Sequence, residues 1–159
     1  MTIRQTVLLL GVSLGIIGGL ASAADTPILL SGKAVKWGPP PPSLPPGAKF
    51  AVLEGDPAKT GSVTVRLKLP PGYKVPPHFH PTDEHVTVLS GDFSIGMGDA
   101  IDKAHAQHLT AGGYGAVPAQ MHHWAYTTMG ATIQIHLQGP FGITYVNPAD
   151  DPSKKTAAR

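Results

Sequence analysis

The chain has 159 residues, with 19 Gly, 17 Pro, 8 His and no Cys. That length suits one domain, and the Gly and Pro content argues against long helices, because both residues weaken or break helix interiors. A net charge of +2, with no basic run beyond Lys154-Lys155, leaves no footprint for nucleic acid; the absence of Cys excludes a disulfide framework, a thiolate nucleophile and a Cys-ligated metal.

Residues 1–23 read as a cleavable export signal. Arg4 supplies the positive start, Val7 to Leu20 the apolar stretch, and Ala21-Ser22-Ala23 the small-residue cleavage site. The apolar stretch is short for a spanning helix and holds four Gly, which speaks against an uncleaved anchor. A periplasmic or secreted mature chain is expected, with no stable membrane insertion. Residues 24–49 form an N-terminal lead-in, with a strand-like patch at Ala34 to Trp37. Then comes Gly38-Pro39-Pro40-Pro41-Pro42-Ser43-Leu44-Pro45-Pro46-Gly47, an extended polyproline strap expected to lie on the surface. Docking of this run to a proline-recognition domain is the alternative.

Residues 50–147 read as strand after strand. Phe50 to Leu53 is followed by a turn. Ser62 to Leu69 alternates, with Val63, Val65, Leu67 and Leu69 on one face. His85 to Leu89 and Phe93 to Met97 are separated by Ser90-Gly91-Asp92, a hairpin signal. Ala100 to His108 is a helix candidate. Tyr114 to Val117, His122 to Thr128, Ala131 to Gln138 and Ile143 to Val146 complete the set, and residues 148–159 form a polar tail expected to fray. The expected class is all-β: one antiparallel domain of nine or ten strands, closed or double-sheeted to protect its edges.

His78-Phe79-His80 places two imidazoles on one face of a strand, since positions i and i+2 point the same way. Pro81-Thr82-Asp83 reverses the chain and brings Glu84 back alongside them. Two nitrogens and a carboxylate suit divalent iron, manganese, nickel or zinc. A lone His-x-His is weak evidence, but the spacing around this one is specific. Gly72, five residues, His78-x-His80, three residues, Glu84, six residues and Gly91 reproduce the first motif of the cupin superfamily. Gly112, five residues, Pro118, then His123 follow its second motif, with Gln120 in place of a glycine and Thr127 in place of an asparagine. The sequence therefore resembles a single-domain cupin.

That resemblance implies a double-stranded β-helix, a small jelly-roll-like barrel of two facing sheets. It implies one divalent metal ion bound by His78, His80, Glu84 and His123. Three imidazoles and one carboxylate would leave about two positions of an octahedral ion open. Small residues Ala125 and Thr127 share the expected face of His123 and leave room for a guest. On Ala131 to Gln138, one face lines the barrel. If it is the polar one, Gln134 and His136 join Thr127 as pocket lining; otherwise they face solvent or a neighbouring sheet. His122, His105 and His108 read as structural or surface residues.

Related cupins include dioxygenases, oxalate-degrading enzymes and isomerases. The sequence expectation is a metal-dependent, dioxygenase-like oxidoreductase acting on a small enol, enediol or carboxylate compound. Glu84 would be the catalytic residue, a ligand that also serves as a transient base. The alternative is a periplasmic metal or small-ligand binder without turnover. Cupins often pair through sheet edges and exchanged terminal segments, so a homodimer is expected alongside the small-molecule partner.

Overall fold

The computed structural model describes residues 27–156. The export signal expected over residues 1–23 lies outside the described residues. Among the described residues, nine antiparallel strands form one continuous, curled sheet: β1 (Lys49–Glu54), β2 (Gly61–Leu69), β3 (Lys74–Phe79), β4 (Glu84–Met97), β5 (Gln107–Thr110), β6 (Tyr114–Val117), β7 (His123–Tyr126), β8 (Ala131–Gly139) and β9 (Thr144–Tyr145). One half has the order β1-β2-β8-β4-β6 and the other β9-β3-β7-β4-β5.

The core follows from alternation. Val63, Val65, Leu67 and Leu69 on β2 meet Ala131, Ile133, Ile135 and Leu137 on β8, and all are buried. Val86 and Val88 from the first half of β4 join them, with Phe93 and Ile95 from its second half. Burial of these aliphatic faces is the main favourable term, on the order of 1.5–3 kcal/mol per large side chain.

Strand β4 corrects the hairpin expected at Ser90-Gly91-Asp92. The chain does not reverse there. It runs straight through and changes sheet half, pairing with β8 and β6 before Gly91 and with β5 and β7 after it. A register shift between Val88 and Ser90 inserts one extra residue. Inward positions are therefore even before the bulge (84, 86, 88) and odd after it (93, 95). The turn-forming residues mark a corner. Gly91 has φ +80°, and a Cβ there would sit 2.0 Å from the carbonyl oxygen of Gly130. Asp92 locks the same corner by accepting bonds from Thr128 N, Met129 N and the Thr127 hydroxyl.

Three further expectations change. The strand-like patch at Ala34 to Trp37 is not a strand: a 3-10 turn covers Gly32–Ala34, and only Gly38 bridges to Phe50. The helix candidate at Ala100 to His108 is a 3-10 turn at Lys103–His105 leading into β5, whose pairing with β4 outweighs a weak helical signal. The C-terminal stretch expected to fray carries a 3-10 turn at Pro148–Asp150, capped by Asn147, and a short helix at Pro152–Thr156.

Replacing Gly91 by Ala should destabilise the fold by about 2 kcal/mol or more, because the methyl group meets backbone oxygen and the left-handed conformation disfavours it. Urea unfolding midpoints of the two proteins check this.

Candidate metal centre

A second bulge builds the site. Pairing of β3 with β7 slips between Val75 and His78, at Pro76-Pro77, where proline could not sustain a ladder. Before the slip Tyr73 and Val75 face inward; after it His78 and His80 do. His123, opposite His78 on β7, and Glu84, first residue of β4, face the same point. All four are buried, with 2–7% of their surface exposed.

One ring nitrogen from each of His78, His80 and His123 lies within 4.8 Å of the others, a spacing that could hold a metal ion. The ring centroids are 4.2–5.2 Å apart. Glu84 completes the group: Oε1 is 3.7 Å from His80 Nε2 and Oε2 is 3.4 Å from His123 Nε2.

Each imidazole is oriented by backbone. Nδ1 of His78 donates to Pro76 O at 2.7 Å, Nδ1 of His80 to Gly142 O at 2.6 Å, and Nδ1 of His123 to Met121 O at 3.0 Å. A carbonyl can only accept, so Nδ1 carries hydrogen in all three rings. In the neutral ring Nε2 is then a bare lone pair. Among the described residues, Nε2 of His80 and of His123 has no hydrogen-bond partner although both atoms are buried. Buried polar atoms are rarely left so, and three converging lone pairs beside a carboxylate fit a divalent cation.

Burial lowers the His78 pKa to about 3, aided by the charges of His123 and His80, so its ring is neutral across the ordinary pH range. At Glu84, burial works to raise the pKa. Contact with His123 and the charges of His80, His123 and His78 outweigh it and hold the carboxyl below its usual range. The centre thus presents a neutral ring at His78 and an ionised oxygen donor at Glu84.

Loops are pinned to the site. Gln120 adopts φ 63°, the left-handed conformation that a glycine would take without strain. Its backbone N–H and side-chain amide both donate to His80 O, so the substitution keeps the turn and adds a tether. Asp83 accepts from Ala119 N at 2.7 Å.

Beyond the cluster, a narrow cavity of about 40 Å³ is lined by apolar side chains, among them Leu67, Leu69, Phe93, Ile133, Ile135 and Phe141. This corrects the expected pocket lining. On β8 the isoleucines face inward, and Gln134 and His136 lie on the outer face, because the apolar set gains more from burial. There Gln134 accepts from Arg66 Nε and His136 bonds to Thr64. Thr127 is buried but braces the corner through Asp92 and Gly130 N, away from the cavity. His122 pairs with Asp99 and stacks on Phe79, outside the site. Sequence reasoning missed Leu44, Tyr73, Phe141 and Ile143 as lining residues. Leu44 carried a signal, as the large apolar side chain inside the proline run.

The family model of the ChrR cupin-like domain matches residues 26–141. Germin-like protein 3-1 of rice is 35% identical over 80 residues, which cover 50% of this chain and 36% of that protein; the chain thus spans about a third of this curated relative. Among solved structures, a proposed acetylacetone dioxygenase from Methylibium petroleiphilum PM1 aligns with TM-score 0.62 and 19% identity, covering 86% of this chain and 96% of that one. The polyketide cyclase RemF from Streptomyces resistomycificus aligns with TM-score 0.61 and 17% identity, covering 81% and 92%. An RmlC-like cupin from Shewanella frigidimarina aligns at 0.55 with 17% identity, covering 71% and 91%. At these identities the structural likeness speaks for the fold, a cupin barrel.

The depressed His78 pKa sets a pH dependence. The folded state resists protonation that the unfolded chain accepts near pH 6.5, so this contribution is complete above that value and is lost as pH falls toward 3. Metal-free protein titrated with urea between pH 7 and 4 should lose stability with a slope approaching about 1.4 kcal/mol per pH unit. His78→Leu should flatten it.

Proposed function

We propose, for a chain that belongs to the ChrR cupin-like family, that the barrel is a metal-dependent oxidoreductase of dioxygenase type acting on a small enolisable compound. His78, His80, Glu84 and His123 are its metal ligands. The observation that carries this reading is the convergence of imidazole nitrogens whose Nδ1 atoms are all committed to backbone carbonyls.

A divalent iron or manganese ion held there would supply Lewis acidity and one-electron chemistry toward an oxygen-chelating ligand. The chain's own groups do the rest. Three uncharged ring ligands and one carboxylate would offset only one of a divalent ion's two charges, so the loaded centre would favour an enolate over its neutral parent. Glu84 is the carboxylate among the lining residues, so taking a proton from the bound compound falls to it. The aliphatic walls exclude water and accept an apolar body. Among the described residues no Lys, Arg, Asn or Gln lines the cavity, so a second carboxylate on the ligand would find no partner there. Within the range of enols, enediols and carboxylates, this favours uncharged diketones and enediols over dicarboxylates. The fold likeness to a proposed acetylacetone dioxygenase supports the same choice.

Among the described residues no carboxylate besides Glu84 lines the cavity, which favours one rival, a binder of metal or small ligand without turnover. The proposal also takes the mature chain to be exported, supported by the signal-like residues 1–23, and homodimeric, supported by the outer position of β1 in its sheet half.

Two measurements test it. His80→Ala should lose at least about tenfold in metal affinity while keeping an all-β circular dichroism spectrum, since ligand loss acts locally; wild-type metal content in this variant would refute the ligand set. Mature protein reconstituted anaerobically with iron, manganese, nickel or zinc should then consume oxygen with acetylacetone or a small enediol, and Glu84→Gln should suppress it. Tight metal binding with no uptake on any compound would select the binder.

A further inference from the structure

The proline run is not a free surface strap. Its Leu44 is buried, belongs to the hydrophobic core and lines the same cavity as the histidine cluster. Two barrel tyrosines hold the run in place. Tyr73, just before β3, donates its hydroxyl to Pro45 O at 2.5 Å, and Tyr145 on β9 donates to Ser43 O at 2.7 Å. The two bonds therefore grip the residues on either side of Leu44. A tight turn, Leu44 N to Pro41 O, points the side chain inward.

Most other lining residues sit on strands, where backbone ladders fix them. Leu44 is held from outside the sheet, by a segment whose prolines donate no backbone hydrogen bonds and cannot be zipped into a ladder. Both tyrosine rings are buried, and burial raises both phenol pKa values, so the hydroxyls stay protonated donors. Tyr145 also packs 6.0 Å from the His78 ring, so the clasp on the strap and the metal cluster share a neighbour.

We propose that Leu44 is the specificity-determining wall of this cavity, limiting the size of the apolar body admitted beside the metal cluster, and that Tyr73 and Tyr145 are the positioning residues that hold it there. The inference deepens the proposed function, resting on it only for the identity of the guest.

Because the chain has no Cys, a single reporter can be placed without background. Ala125→Cys puts a thiol on a small lining residue of β7, two positions from His123. Metal-free protein is labelled with methyl and with benzyl methanethiosulfonate, and the ratio of rates is read. Adding Leu44→Ala should raise the benzyl-to-methyl ratio about tenfold or more, a change of roughly 1.4 kcal/mol in discrimination. Tyr73→Phe with Tyr145→Phe, which removes only two hydroxyls, should shift the ratio the same way with Leu44 present. An unchanged ratio in Leu44→Ala overturns the proposal. A shift there without one in the tyrosine pair overturns the positioning role alone. As a second readout, calorimetry of zinc-loaded protein with acetylacetone and nonane-4,6-dione should show the longer dione gaining on the shorter in Leu44→Ala, and equal relative affinities count against the wall. If neither dione binds while the labelling ratio shifts, the wall stands and the proposed substrate class falls.

Discussion

A neutral imidazole can offer one lone pair, and which one it offers is decided on the far side of the ring. In this barrel the decision is made three times by backbone carbonyls, at Pro76, Gly142 and Met121. Each is placed by an irregularity of the chain: a bulge beside Pro76, the link from β8 to β9 at Gly142, and the turn at Met121. Were any of these carbonyls turned away, the ring it holds could rotate or swap tautomer, and a buried nitrogen would point at nothing. The irregular parts of the fold serve the site, while the regular strands supply walls.

The walls constrain what the site can accept as much as its polar residues do. An ionised carboxylate among imidazoles, enclosed by leucine and isoleucine, experiences stronger electrostatic forces than it would in water. Charge is tolerated at one corner of the cavity and penalised elsewhere. A guest of the proposed class would thereby be oriented before any specific contact is made, with its polar end toward the cluster and its apolar end toward the strap.

Much of the fold was legible because alternation is a local signal. β2 and β8 read correctly from the period of Val63 to Leu69 and Ile133 to Leu137. The histidine and glutamate spacing was legible for the same reason, since His78, His80 and Glu84 lie within one short reversal. Failures came where the outcome depended on a distant partner. Gly91 and Asp92 have turn chemistry, but whether they reverse the chain or bend it is decided by β5, β7 and β8. Alternation along β8 leaves open whether the face of Gln134 and His136 or that of the isoleucines lines the cavity, and only the closed barrel shows that the isoleucines take the inside. Leu44 was hidden because its pocket is formed by residues far along the chain, including Tyr73 and Ile143.

The parity change in β4 has a consequence for how such a chain could vary. Side chains before and after the bulge face inward on opposite counts, so the strand works as two reading frames joined by one inserted residue. Deleting Ser90 alone would leave every apolar residue in the sequence yet turn Phe93 and Ile95 out to solvent. Within this stretch the number of residues matters more than their identity, and swaps of one hydrophobic side chain for another are the gentler change.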